Sequence, residues 1–488
     1  MESGKSRSDT VFKSMHSQTF VTVLLAVLEL VYFAIMSRLL SKEDFGYFAL
    51  ITAVTLILNS LTDAGLGASV IQKKEVSPKF VSTAFSMSVI SGIFFALVLF
   101  FGAPLFSDLM IASGKLTAAF RLMSVTLVIQ GIANIYNATY IRRLHFMKLG
   151  LLKATAYFLS AVLGILGALA GYGYYSILIA VIANQLFFMI IIVALNRKAK
   201  LRFSICRQYV KEIFGFGGLL TLSEIIRRIT DQLDRIIVAR MLSVSAVGII
   251  NRPSGFIASL SSNINGIFDT ILFPILSQVQ DDNAKIVDAF KKSTGLITLF
   301  SSFLAGFLVL GSKYLIDIFF GSQWESILDL MIIFSLVIFF TGYSRVCDCF
   351  FRSLGIMKSF CFMRVFNCAA TVSLIVAGCM YGVEGVAWSK LVSNIVECGI
   401  KYFMLRRHIR FRQLEYWSGI FSNTRISLAI FGGCFLLMIF TPGGTYYSVF
   451  VYMAAIIAAA VCRPDLFGPL FRQHIFARYL KKLPFLRG

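Results

Sequence analysis

Fourteen stretches of about 20 predominantly apolar residues follow one another along this chain of 488 residues, separated by short polar connections. Each stretch is long enough to cross the hydrocarbon core of a bilayer as an α-helix. With 58% hydrophobic residues and a mean hydropathy of +0.80, the chain lacks the polar surface that a soluble protein of this length needs. The sequence therefore predicts an all-α polytopic membrane protein. The predicted spans are 18–37, 45–66, 80–106, 116–140, 149–170, 174–195, 213–240, 247–275, 293–311, 324–346, 359–380, 384–405, 425–441 and 446–462.

Lysine and arginine residues in the connections fall mostly on one side of the predicted membrane. That side includes the basic stretches 196–212 and 406–424 and both ends of the chain. The opposite side has five basic loop residues, which are Arg38, Lys42, Lys115, Arg240 and Lys313. Because cytoplasmic loops hold the excess of Lys and Arg, this asymmetry predicts that both termini are cytoplasmic. The net charge of +22 then reflects loop sidedness, and we expect no nucleic-acid partner.

Motifs for cofactors, metals or catalysis are not found in the sequence. The nine cysteines show no C-x-x-C spacing, and the four histidines lie in basic loops or tails. No G-x-x-x-x-G-K-[ST] motif is present, which excludes a P-loop ATPase. A membrane glycosyltransferase, polymerase or ligase usually needs a catalytic carboxylate or histidine on a sizeable loop opposite the cytoplasm, and the predicted loops on that side are short. We therefore expect a protein that is not an enzyme and that has no cofactor or metal.

The most informative span is 213–241, because its ends are apolar and its middle is highly charged. The charged residues are Glu224, Arg227, Arg228, Asp231, Asp234 and Arg235. At 3.6 residues per turn they lie on or beside one stripe of a helix, with opposite signs alternating at i,i+4. One interpretation is a structural zipper of ion pairs. The other is a stripe that lines a transport cavity, since ionisable groups at bilayer depth normally face a bundle interior or water.

Other ionisable residues within the predicted spans extend this candidate cavity. Substrate-binding candidates are Arg227, Arg228, Arg235 and Arg252, followed by Arg345 and Arg364. Candidates for ion coupling or for modulating the cavity charge are Glu29, Glu224, Asp231, Asp234 and Asp269. Pro253 and Pro274 predict breaks in the span that contains Arg252. Lys401 lies near a span end, where we expect its ammonium group to snorkel to the membrane surface.

An internal repeat divides the chain. Residues 38–46 (RLLSKEDFG) match 240–248 (RMLSVSAVG) at Arg, Leu, Ser and Gly, and the RRLHFMK at 142–148 matches the RSLGIMK at 352–358. Both matches recur at the same place in two six-helix units. Because each unit has an even number of spans, the two units are parallel repeats. Such repeats enclose a site between them and rock against each other. The same register aligns Glu29 with Asp231. We predict a six-helix lobe at 1–205, a second at 206–410, and two further helices with a basic cytoplasmic tail at 411–488.

The segment SRLLSKEDFGYFALITAVTLILNSLTDAGLGASVIQKKE (37–75) resembles the first hairpin of bacterial polysaccharide-unit flippases. These are the O-antigen and exopolysaccharide exporters of the multidrug/oligosaccharidyl-lipid/polysaccharide exporter superfamily. The resemblance includes RRLHFMKLG and DQLDRIIVARMLS (231–243) and extends over most of 15–410. It implies an inner-membrane protein that moves an undecaprenyl-diphosphate-linked oligosaccharide from the cytoplasmic to the periplasmic leaflet. The bilayer and the polysaccharide polymerase machinery would be its other partners.

The charges of the central spans agree with that implication. A lipid-linked diphosphate is anionic, and the planar guanidinium of arginine donates two parallel hydrogen bonds to phosphate while remaining charged. Two alternatives stay open. A multidrug cation antiporter of the same superfamily would favour unpaired acidic groups, whereas these spans contain more arginine than acid. A membrane polysaccharide polymerase or ligase is the other alternative, and the short periplasmic loops argue against it.

Overall fold

The computed structural model describes most of the chain. The described residues are 2–73, 76–111, 114–142, 146–196, 201–210, 218–278, 283–409, 425, 428–436, 449 and 451–456. Within them, the side chains of 2–20, 72, 146, 218–221, 262–278 and 283 are outside the description.

Helices make up nearly all of this part of the chain, and the described residues contain no strand. The helices are α1 (Glu2–Leu39), α2 (Lys42–Asp63), α3 (Leu66–Gln72), α4 (Pro78–Ile111), α5 (Thr117–Arg142), α6 (Phe146–Leu169), α7 (Tyr174–Leu195), α8 (Gly218–Met241), α9 (Val244–Gln278), α10 (Asn283–Leu315), α11 (Leu328–Ser353), α12 (Met357–Cys379) and α13 (Gly382–His408). A π-helical turn (Ile316–Phe320) and a 3₁₀ turn (Ser322–Ile327) connect α10 to α11. Nine helical segments of the described chain are long and apolar enough to cross a membrane. The predicted fold class, an all-α polytopic membrane protein, is thus confirmed.

The first twelve predicted spans each coincide with a helix. Residues 213–217 of the seventh span lie outside the described residues. Of the last two predicted spans, only 425, 428–436, 449 and 451–456 are described, and they are helical. The predicted breaks at Pro253 and Pro274 were wrong, because α9 continues through both prolines. A proline removes one N–H donor and bends a helix, but it does not end the helix when the adjacent turns remain paired.

The ends of α2 show how local sequence sets a helix boundary. Ser41 is the N-cap: its Oγ accepts from the Asp44 backbone N–H at 3.1 Å, and the Asp44 carboxylate accepts from the Ser41 N–H at 3.0 Å. The helix stops where Ala64 and Gly65 take left-handed conformations, with φ of 39° and 78°. The Asp63 carboxylate then accepts hydrogen bonds from the Asn134 side chain and the Gly67 N–H. The α2–α3 corner is therefore fixed by polar contacts.

The described contacts group the chain into two compact units. Unit 1 contains residues up to Arg252 together with 318–323 and 364–383, and unit 2 contains the remainder. In unit 1, α4 packs on α5, α6 packs on α1 and α7, and α2 packs on α8. In unit 2, α10 packs on α11, and a core that includes Phe290, Phe350 and Tyr402 is buried. The predicted lobe boundaries after residues 205 and 410 stay predictions.

Candidate functional site

Helix α8 of unit 1 presents a charged, exposed face. The side chains of Glu224, Arg228 and Asp231 are 51%, 43% and 48% exposed, and that of Arg227 is 28% exposed. Ser223, Gln232 and Val238 of the same helix are buried. The helix therefore packs into unit 1 along one side and leaves both signs of charge accessible along the other. We call Glu224, Arg227, Arg228 and Asp231 the α8 charged face.

Arg227 holds the two carboxylates of this face. Its Nε donates to Glu224 Oε2 at 3.0 Å, and a second nitrogen pairs with the other oxygen of Glu224. Its Nη1 donates to Asp231 Oδ2 at 2.8 Å. The i,i+4 pair between Arg227 and Asp231, expected from the sequence, is formed. A bidentate pair plus a second carboxylate occupies most of the donors of this guanidinium.

Arg228 is held much less tightly. Its Nε lies 3.8 Å from Glu224 Oε1, which is too far for a hydrogen bond. Among the described residues, this buried Nε atom has no hydrogen-bond partner. Arg228 is thus a guanidinium with donor capacity left over on an exposed face. In chemical terms it is suited to an added anionic group with acceptor oxygens.

Arg364 brings a third guanidinium to the same place. It lies on α12, in the segment 364–383 that belongs to unit 1, and is 7% exposed. Its charge acts on the Glu224 carboxylate, as do those of Arg227 and Arg228. The structure therefore unites three of the six arginines predicted from the sequence around Glu224. Three guanidiniums thus act on the Glu224 carboxylate, and Arg227 also pairs with Asp231.

Asp234 and Arg235 of the same helix make packing contacts. Asp234 is 8% exposed, and its carboxylate accepts from the Arg235 backbone N–H at 2.7 Å. The Arg235 guanidinium is directed at α2, where its Nη1 lies 3.4 Å from the Ala49 carbonyl oxygen and 3.5 Å from Thr52 Oγ1. These two residues belong to the packing of α8 on α2. The charged stripe predicted from the sequence is thus divided between an exposed part and a packed part.

Arg252, at the start of α9, is enclosed by α1 and α2. Its guanidinium carbon lies 3.4 Å from the centroid of the Phe33 ring and 3.9 Å from that of Phe45. Nε donates to Ser37 Oγ at 3.1 Å, and Nη2 donates to the Phe33 carbonyl oxygen at 2.8 Å and to Ser37 Oγ at 2.6 Å. Cation–π contacts with two rings, together with these hydrogen bonds, satisfy the guanidinium in this position.

Two tyrosines lie within electrostatic reach of Arg252, and one of them also of Glu29. The rings of Tyr32 and Tyr157 meet edge to face at 6.0 Å, and both hydroxyls lie within electrostatic reach of Arg252. Glu29 in turn acts on Tyr157. Neither tyrosine was predicted from the sequence. Tyr32 lies one helical turn after Glu29 on the same span, and that spacing was an available signal for Tyr32.

The two remaining candidates lie in unit 2. Arg345 is exposed on α11. Asp269 lies on α9, and its side chain is outside the described residues.

Unit 2 contains a charged cluster that the sequence analysis did not predict. Lys401 on α13 has 0% exposure and pairs with Asp348 Oδ1 and Glu397 Oε1, each at 2.6 Å. Its ammonium also donates to Ser344, whose Oγ lies 3.1 Å from Glu397 Oε1. The expectation that Lys401 snorkels was wrong, because two carboxylates inside the unit compensate its charge better than a distant membrane surface. The i,i+4 spacing of Glu397 and Lys401 was the available signal.

Comparison with known proteins identifies the family. Residues 35–329 match the family described as polysaccharide biosynthesis protein. The lipopolysaccharide biosynthesis protein WzxC of Escherichia coli strain K12 is 22% identical over 409 residues, covering 79% of this chain and 78% of that protein. The succinoglycan biosynthesis transport protein ExoT of Rhizobium meliloti strain 1021 is 24% identical over 410 residues, covering 82% and 81%.

The fold is similar to that of a solved transporter. The structure titled lipid II flippase MurJ, inward closed conformation, has a TM-score of 0.70 with 14% sequence identity, and the likeness covers 92% of this chain and 99% of that one. At that identity the likeness establishes the fold alone. The match at 35–329, which spans more than half of the chain, establishes more: this multi-pass membrane protein belongs to the polysaccharide biosynthesis protein family.

Proposed function

We propose that this protein is a flippase for undecaprenyl-diphosphate-linked oligosaccharide repeat units, which it moves from the cytoplasmic to the periplasmic leaflet by alternating access. The observation that supports this most is the exposed group of Arg227, Arg228, Glu224 and Asp231 on α8, where three guanidiniums, that of Arg364 included, act on the Glu224 carboxylate. Exposed charges on a membrane helix require water or a polar ligand beside them, since hydrocarbon does not solvate them.

The diphosphate is the part of the substrate that this group would bind. Arg228 has donor capacity left over, so we assign it the first contact with a phosphate oxygen. Arg227 and Arg364 would add positive potential, while Glu224 and Asp231 hold Arg227 in place and limit how tightly an anion binds. A transporter needs that limit, because a substrate that binds too tightly is not released.

Arg235 and Arg252 have different roles in this proposal. Arg235 is engaged with α2 and Arg252 with α1, so both position helices in this conformation and do not face the phosphate. We therefore restrict the phosphate site to Arg227, Arg228 and Arg364. Arg345 and Asp269 receive no role.

The names of the relatives agree with a substrate of this class. WzxC is named for lipopolysaccharide biosynthesis, ExoT for succinoglycan transport, and MurJ for flipping lipid II. By extension, we place the protein in a bacterial inner membrane with both termini in the cytoplasm, where the Lys- and Arg-rich loops would lie. The polysaccharide polymerase machinery would receive the flipped unit as a partner.

The rival function, export of organic cations, is less compatible with the α8 charged face. A cation site needs carboxylates that are not already neutralised, whereas Arg227 pairs with both Glu224 and Asp231. An enzymatic role, as a polymerase or ligase of the same lipid-linked sugars, has the support of no residue group described above. Both rivals predict that Arg228 is dispensable.

Reconstitution tests the proposal. The purified protein is placed in vesicles that contain a polyprenyl-diphosphate oligosaccharide in one leaflet, and arrival in the other leaflet is followed with an impermeant sugar-binding protein. We expect translocation by the parent protein and a large loss in Arg228→Ala. The matched control is Lys115→Ala, an exposed basic residue outside the charged group, which should translocate at the parental rate. Equal rates in the two variants, or no translocation by the parent, would contradict the proposal.

A further inference from the structure

The first turns of α2 and α9 cross at two glycines that the internal repeat aligns. A Cβ atom on Gly46 of α2 would overlap the Val244 carbonyl oxygen of α9. A Cβ atom on Gly248 of α9 would overlap the Lys42 carbonyl oxygen of α2, and it would lie 3.0 Å from the Gly46 nitrogen. In the repeat, Gly46 corresponds to Gly248 and Lys42 to Val244. The contact is therefore reciprocal, as a local two-fold relation between the repeats requires.

Arg38 and Arg240, which the same register aligns, also make reciprocal contacts between the two repeats. Arg38, at the end of α1, donates to the Ile318 carbonyl oxygen at 2.9 Å, in the π-helical turn after α10. Arg240, at the end of α8, donates through Nε to the Leu109 carbonyl oxygen at 2.6 Å and also to that of Asp108, in the last turn of α4. Each arginine thus caps carbonyl groups at the end of a helix that belongs to the opposite repeat.

These four contacts join the repeats at one end of the helices. Residues 218–252 and 318–323 of the second repeat fall in the same compact unit as the whole first repeat. Arg38, Lys42 and Arg240 are among the few basic residues on the predicted periplasmic side. When repeats rock against each other, contacts between them at one end exist only while that end is closed.

We propose that Gly46, Gly248, Arg38 and Arg240 form a reciprocal closure of the periplasmic end of the transport path, which is shut in this structure and must separate for the sugar unit to leave. This inference rests on the proposed flippase function and adds the residues that control its exit. The glycines permit close contact of two backbones, and the arginines add hydrogen bonds that are broken together on opening.

Glycine-to-alanine variants should destabilise the closed arrangement specifically. The atom closest to a new Cβ belongs to the main chain at both glycines, so it cannot yield as the tip of a flexible side chain would. The added methyl group therefore destabilises the closed arrangement. Once the ends separate, the methyl group no longer meets the backbone of the opposite helix. Overpacking of this kind shifts the ratio of closed to open molecules by roughly 5- to 150-fold. Gly255 is the matched control, because it lies on the same helix and a Cβ there meets nothing within 4 Å.

Cysteine labelling measures the shift without any substrate. Ala53, two helical turns after Gly46 on the same face of α2, is fully buried and serves as the reporter when changed to cysteine. An impermeant maleimide is added from the predicted periplasmic side, and labelling of the parent without the reporter is subtracted. We expect Gly46→Ala and Gly248→Ala each to accelerate labelling by roughly 5-fold or more, and Gly255→Ala to label at the parental rate. Equal rates in all three variants would overturn the closure.

Arginine variants provide a second test in case a glycine-to-alanine variant accumulates poorly in the membrane. Arg38→Gln and Arg240→Gln should also accelerate labelling, whereas Lys115→Gln, which removes the same charge on the same predicted side, should not. Acceleration by Lys115→Gln to the same degree would mean that surface charge, and not the closure, is responsible. Because no lipid-linked sugar is present, failure here leaves the substrate assignment untouched, and failure of the translocation assay leaves the closure untouched.

Discussion

Replacement of Lys401 by methionine should be among the most destabilising single substitutions in unit 2. The ammonium group has 0% exposure and lies 2.6 Å from both Asp348 Oδ1 and Glu397 Oε1. Methionine fills a similar volume, so the main effect is that two carboxylates, 15% and 14% exposed, lose the cation between them. Breaking a buried ion pair in this way costs about 3–5 kcal/mol.

That cost is large compared with the stability of a folded protein, which is about 5–15 kcal/mol in total. Thermal unfolding of the detergent-solubilised protein, followed by size-exclusion chromatography with fluorescence detection, should therefore show a markedly lower transition temperature. Lys390→Met on the same helix is the matched control. Lys390 is only partly buried and sits 5.7 Å from the Phe334 ring, a contact worth about 0.5–1 kcal/mol.

Neutralising the whole cluster should restore much of the lost stability. In the triple variant Lys401→Met, Asp348→Asn, Glu397→Gln no buried charge of the cluster remains, and buried ion clusters replaced as a set are often as stable as the parent. If Lys401→Met unfolds at the temperature of Lys390→Met, or if the triple variant is no more stable than the single one, the assignment of Lys401 as the cation of a buried cluster is refuted.

Three further predictions concern unit 1 and the membrane orientation. Arg252→Lys should lower the unfolding temperature although the charge is kept, because lysine lacks the planar group that contacts the Phe33 and Phe45 rings. The control is the melting curve of Phe94→Leu, which changes an exposed aromatic residue on α4. Glu29→Gln should reduce the dependence of vesicle transport on an imposed proton or sodium gradient, and unchanged dependence would make Glu29 a structural residue. Cysteines placed at Lys115 and Lys285 should react with an impermeant maleimide from opposite sides of the membrane. Labelling of both from one side would contradict the predicted topology.

The helices could be predicted from the sequence because a bilayer demands apolar stretches of a set length, and that signal is local. The i,i+4 pair of Arg227 and Asp231 was equally local, since both residues lie on one helix. The contacts of Arg252 with Phe33 and Ser37, and of Lys401 with Asp348, join residues far apart in the chain, and no periodic pattern encodes them. The repeat aligned Gly46 with Gly248 but could not show that the two glycines touch. Proline gave the wrong expectation in α9, because its effect depends on how the neighbouring turns are packed.

The central claim is that the guanidiniums beside Glu224 bind the diphosphate of the lipid-linked sugar. Lysine keeps the positive charge of arginine but not its two parallel donors, so affinity should fall in the order parent, Arg228→Lys, Arg228→Ala. One charge-assisted hydrogen bond is worth about 1.5–3 kcal/mol, which corresponds to about 10- to 100-fold in affinity.

The most direct measurement is a binding titration of the purified protein in lipid vesicles with a polyprenyl-diphosphate oligosaccharide and with its dephosphorylated counterpart. The parent should bind the diphosphate form more tightly by at least the effect of one charge-assisted contact, about 10-fold. In Arg228→Ala that preference should shrink, while the weak binding of the dephosphorylated lipid stays the same. Equal affinity of the parent for the two lipids, or an undiminished preference in Arg228→Ala, would contradict the claim and leave the α8 charged face as an ion-paired scaffold.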